Sequence, residues 1–154
     1  MTDLVLFLHI AGAMMFVAGI AIAGVALGAA RKREDAGEIA LLLGLTRAGV
    51  ALVGVGAMLI LVCGLWLVGL EDDVGYGSGW VDAALALFVA AMLLGGLAGQ
   101  RPKRARLLAA ELAREGRAAT PELRALLDDP LSRVANYASA ALVVAILALM
   151  VFKP

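Results

Sequence analysis

The chain has 154 residues, 63% of them hydrophobic and 17% charged, with 13 basic and 13 acidic side chains and no formal net charge. That balance excludes a strongly basic nucleic-acid binder, and a mean hydropathy of +0.96 excludes an ordinary water-soluble domain. A single cysteine, Cys63, allows no intramolecular disulfide.

Four uncharged runs organise the rest: residues 4–30, 48–70, 83–100 and 134–152. A hydrocarbon core of roughly 30 Å takes about 20 helical residues, so these lengths suit membrane crossing; the third run reaches it once Trp80, Val81 and Asp82 join it. Backbone amides in lipid must pair within the segment, which runs of this kind achieve as α-helices. The expected architecture is all-α: an antiparallel, up-down four-helix transmembrane bundle forming one domain. Its spans lie at about 4–30, 48–70, 80–100 and 134–152. The first run has no basic segment before it and is much longer than a signal-peptide core of about 7–15 residues, so it reads as a retained span.

Between the first two runs lie Arg31, Lys32 and Arg33, with Arg47 further on. The second connection, residues 71–79, is acidic and glycine-rich and breaks the helix. Between the third and fourth runs lie eight more arginines and lysines, from Arg101 to Arg133. Only Lys153 falls on the other side, beside Asp3, Glu71, Asp72, Asp73 and Asp82. Basic residues next to spans stay cytoplasmic, so both termini are expected outside and segment 101–133 inside a cell (inner) membrane. Trp80 and Tyr76 then fall at the outer interface and Tyr137 near the inner one. The basic side suits anionic lipids, and its interleaved Asp and Glu argue against nucleic acid.

Segment 101–133 reads as short amphipathic cytoplasmic helices. Pro102 suits a first turn, Gly116 a stop, Thr120-Pro121 a new start, and Asp128-Asp129-Pro130 another stop. Leu123, Leu126, Leu127 and Leu131 are expected to share a face. A second helix running from Glu38 to Leu70 would be about 50 Å long, so it either projects from the membrane or breaks near Gly44. In both cases Leu41, Leu42, Leu43 and Leu45 need cover, which the leucines of 107–131 can supply. Gly24 with Gly28, Gly95 with Gly99, and Gly12 with Gly19 have the spacing of close helix contacts, within the chain or in a homo-oligomer.

Polar groups within the spans are few. His9, Cys63, Asp82 and Met150 each belong to a different span and all fall towards the outer third. Imidazole, thiolate and thioether suit copper, and imidazole with thioether can ligate haem iron. His9 and Met150 are therefore candidate cofactor residues for haem, and His9, Cys63 and Met150 for copper. The competing reading pairs His9 with a carbonyl or with Asp82. It leaves Cys63 as a small apolar residue and uses Met14, Met15, Met58, Met92 and Met150 as filler. Arg47 either reaches a lipid phosphate or pairs with a buried carboxylate or anionic headgroup.

Leu8-His9-Ile10-Ala11-Gly12, followed by Gly19, resembles the L-H-x-x-G opening of the copper-resistance-D-like membrane superfamily. The closing Met150-Val151-Phe152-Lys153-Pro154 and the four-span layout resemble an uncharacterised branch of predicted integral membrane proteins, over essentially the whole chain. Relatives in that superfamily handle copper or oxidise protoporphyrinogen, and the resemblance implies a ligand or structural role for His9. A second histidine and the intramembrane lysine of the oxidase pattern are both missing from this sequence. The expected function is that of a membrane accessory or assembly protein, non-enzymatic and homo-oligomeric or part of a larger membrane complex. The alternative is a copper- or haem-binding redox protein built on His9. A transporter ranks last, because midplane ionisable residues are lacking.

Overall fold

The computed structural model describes residues 2–70 and 78–152, which form helices and short connections without a strand among them. In chain order the helices are α1 (Thr2–Arg31), α2 (Ala36–Leu70), α3 (Gly79–Ala98), α4 (Gln100–Arg114), α5 (Pro121–Leu127) and α6 (Pro130–Phe152). Four of the long stretches are apolar enough to cross a membrane. Tyr76, the acidic turn at 71–77 and Lys153 lie outside the described residues.

The spans form two helix pairs: α1 packs along α2, and α3 along α6. The α1–α2 pair is the tighter, and glycine is the reason. A Cβ at Gly12 would sit 2.7 Å from Leu59 Cβ and 3.1 Å from Gly56 O, and one at Gly56 would sit 2.6 Å from Gly12 O. Seven residues on, a Cβ at Gly19 would meet Gly49 O at 2.5 Å. The buried positions Val5, Gly12, Gly19 and Ala26 of α1, and Gly49, Gly56 and Cys63 of α2, recur every seven residues. That period keeps one seam facing the partner along the whole crossing. In lipid, where apolar side chains gain nothing by leaving the solvent, such close backbone approach is the main source of association.

Of the glycines expected at contacts, only Gly12 and Gly19 meet a neighbouring helix closely. Gly24 and Gly28 face open space, a Cβ at Gly95 would lie 3.7 Å from Ser139 Oγ, and one at Gly99 would meet only the carbonyls of Gly95 and Gly96. In the α3–α6 pair the Ser139 hydroxyl donates to the Ala91 carbonyl at 3.2 Å. A buried hydroxyl in lipid needs such an acceptor.

The α2 helix is continuous through Gly44 and projects beyond the spans. Its overhang, the end of α1, α4 and α5 enclose an apolar core containing Leu27, Ile39, Leu43, Leu112, Leu123 and Leu127. The four large side chains buried most completely (Ile39, Leu43, Leu123 and Leu127) are all here. Burial is therefore most complete at this arginine-rich end of the chain. Cover is selective, however. Leu43 is buried and Leu42 packs against the core, but Leu41 is 75% exposed and Leu45 also faces outward. A helix turns 100° per residue, so four leucines in five positions cannot share one face. Leu131 is likewise 69% exposed; it lies beyond the break at Asp128-Asp129 and belongs to α6 rather than to α5.

The connections follow their sequence signals. Gly116 has φ 66°, with Arg117 N–H donating to Leu112 O and Gly116 N–H to Ala113 O, a Schellman stop. Thr120 Oγ accepts from Leu123 N–H, and Pro121 occupies the first turn of α5. At the head of α6, before the apolar run, Asp129 accepts from Ser132 N–H and Ser132 Oγ, both at 2.8 Å, and pairs with Arg101 at 3.0 Å. Arginines tie the basic end together. Arg31 Nε donates to Leu127 O at 2.7 Å, while Arg124 donates to Arg31 O at 2.9 Å and to Arg33 O.

Candidate site between the two helix pairs

A gap between the two pairs lies at the end of the bundle opposite the arginines. The start of α1, the end of α2, the start of α3 and the end of α6 enclose a cavity of about 300 Å³. Phe16 and Phe88, with ring centroids 6.3 Å apart, join the pairs deeper in the bundle. They bound a narrower extension of about 40 Å³. Side chains that need no burial in lipid leave such a gap at little cost, since acyl chains can fill it.

His9 lines both parts of the space, and so does Met150. The structure therefore brings together two of the residues singled out for ligation. Nδ1 of His9 lies 3.1 Å from the Ile60 carbonyl of α2. A carbonyl only accepts, so the hydrogen belongs to Nδ1, and the neutral ring then keeps Nε2 as an acceptor. Gly64 makes this placement possible. A Cβ there would stand 3.0 Å from His9 Cε1 and 3.3 Å from Nδ1, so a larger residue would crowd the imidazole and require it to give. Gly64 did not stand out in the sequence; its position four residues after Ile60 becomes informative only once His9 is known to bond that carbonyl.

The other expected site residues lie elsewhere. Cys63 is buried, but it falls on the seven-residue seam and is not among the cavity's lining residues. Asp82 is exposed at the start of α3, and the hydrogen bond of His9 goes to Ile60 instead. Arg47 is exposed on α2. Met14 and Met58 point out of the bundle, so they do not fill its interior as expected. Tyr137 is exposed near the basic end of α6, while Trp80 lines the cavity. No group of three or more His, Cys, Asp or Glu side chains able to hold a metal occurs among the described residues.

Aside from His9, the polar side chains lining the cavity among the described residues are Thr2 and Trp80, and none of those lining residues is charged. His9 and the Thr2 hydroxyl can take part in hydrogen bonds in otherwise apolar surroundings, and the described lining residues offer no nucleophile–base pair. No curated protein and no solved structure matches the chain. A family model does, over residues 3–154, and the chain belongs to the family described as "Predicted integral membrane protein (DUF2269)".

Proposed function

We propose that this protein is a membrane accessory or assembly protein that acts by lateral association in the bilayer rather than by catalysis. The observation that carries this reading is the free face of α1 at Gly24 and Gly28. These glycines are one turn apart, and a Cβ on either would meet nothing within 4 Å. Small residues at this spacing let a second helix approach closely in lipid. The chain's own packing uses Gly12 and Gly19 and leaves this pair for a helix of another copy or of a larger membrane complex. On this reading the whole chain works as one four-helix unit of the cell (inner) membrane. The basic end is cytoplasmic, Arg47 reaches the phosphate layer, segment 101–133 lies against anionic headgroups, and both termini face outward.

A photoreactive residue at Gly24 tests it in native membranes. The expected result is a covalent adduct with a second polypeptide that is lost with Gly28→Leu and absent when the probe replaces Met14. Adducts with lipid alone from Gly24 would contradict the proposal.

A copper- or haem-binding reading has one observation in its favour: His9 and Met150 line the same cavity. Copper fits poorly, because Cys63 does not line that space. His9 and Met150 would be the residues to hold haem, which would supply electron transfer there. However, the charged side chains at this end among the described residues are Asp3 and Asp82, with no Lys or Arg to balance the carboxylates of haem. A Soret band abolished by His9→Ala would favour haem over the assembly reading, and a featureless visible spectrum of protein purified from membranes would remove it.

A further inference from the structure

We infer that the cavity between the helix pairs binds an uncharged lipid-phase molecule whose buried end carries a hydroxyl group, which donates a hydrogen bond to Nε2 of His9. The inference stands independently of the free face of α1.

The hydrogen-bonding polarity is set by the protein. Ile60 O accepts from Nδ1 of His9, so what the ring offers an occupant is an acceptor. The matching group is a donor, which a hydroxyl has and an ether or carbonyl lacks. Gly64 holds this polarity in place by leaving the imidazole room to reach α2. Charge is disfavoured by the surroundings. Leu6, Val68, Ala84, Phe88 and Ile146 are typical of the lining, and an ion entering it would lose hydration without gaining a counter-charge from the described lining residues.

Size and access agree. About 300 Å³ lies at the low end for small-molecule sites, enough for one ring or a stretch of chain. The lining comes from both helix pairs, so a long tail can lie along the seam between them. Two kinds of lipid-phase molecule share the required chemistry: a hydroquinone with an apolar tail, and a long-chain alcohol.

The test uses the full chain in lipid nanodiscs under anaerobic conditions, with three probes: a decyl-substituted benzohydroquinone, its dimethyl ether, and dodecanol. The hydroquinone should bind about tenfold or more tightly than the ether, the difference one hydrogen bond to a buried acceptor makes. His9→Phe keeps an aromatic ring and should abolish that difference. Ala84→Phe narrows the cavity while keeping His9 in the sequence and should weaken all three probes. Tighter binding of the hydroquinone than of dodecanol assigns the site to a ring, and the reverse assigns it to an aliphatic alcohol. Equal binding of hydroquinone and ether to the unmodified protein, or no binding of either hydroxyl-bearing probe, would overturn the proposal. The ether comparison needs no variant to fold.

Discussion

Gly19 and Gly49 leave each other no room for a side chain: a Cβ on the first would lie 2.5 Å from the carbonyl oxygen of the second, and one on the second 2.7 Å from that of the first. Gly12 and Gly56 repeat the relationship one heptad away. Backbone meets backbone at both positions, so rotamer changes cannot relieve an added side chain. Gly19→Val or Gly49→Val should therefore destabilise the α1–α2 pair by about 1–3 kcal/mol or more, measured by reversible unfolding in mixed micelles. Gly44 faces open space in the exposed overhang of α2. Gly44→Ala should raise stability by about 0.5–1 kcal/mol, since it only removes backbone freedom from the unfolded chain.

The core at the basic end should behave like that of a water-soluble protein. Leu123 is fully buried there, and Leu123→Ala should cost about 2–5 kcal/mol. Leu41→Ala should stay within about 0.5 kcal/mol, because Leu41 is exposed on the same overhang. Unfolding midpoints of the two variants in one detergent provide the comparison.

Arg124 caps the end of α1 from α5, while Arg31 returns a bond to the end of α5. Arg124→Ala removes donors from two carbonyls at a helix C-terminus. Partial exposure keeps the expected loss at about 1 kcal/mol, but the effect is local. Limited trypsin digestion should show faster cleavage around residues 114–124, with the spans still protected.

Asp129 sits at the head of α6, ahead of the apolar run. The hydroxyl and N–H of Ser132, and then Arg101, hold its carboxyl below the usual carboxylate range. A depressed pKa in the folded state means the contribution is complete above the ordinary value of about 4 and is lost as pH falls through the lowered one. The unmodified protein should therefore lose stability relative to Asp129→Asn as pH drops below about 4, and Ser132→Ala should shift that loss to higher pH. Unfolding midpoints followed from pH 6 to pH 3 report both effects.

The four crossings were legible because lipid tolerates no other reading of uncharged runs near 20 residues. The stops were legible too, since Gly116 and Thr120-Pro121 act through local backbone chemistry. Pairing was harder to see. Gly24-Gly28 and Gly12-Gly19 look equally suited to contact, and only the matching seven-residue spacing of Gly49 and Gly56 on α2 separates them. The site was half visible: His9 stands out as the single histidine, but depth along a helix does not give its rotation. Cys63 lies towards the same end as His9, yet its face of α2 turns into the seam. Gly64, which seats the imidazole, carries no chemistry of its own to mark it.

The most direct test of the membrane account is cysteine labelling of the full chain in intact cells, in a Cys63→Ala background, with a membrane-impermeant maleimide. Cysteines replacing Thr2 and Ser78 should react from outside, and those replacing Glu34 and Arg117 only after permeabilisation. Labelling of Glu34 or Arg117 positions in intact cells, or a split within either pair, would contradict a four-span bundle with its arginines on the cytoplasmic side.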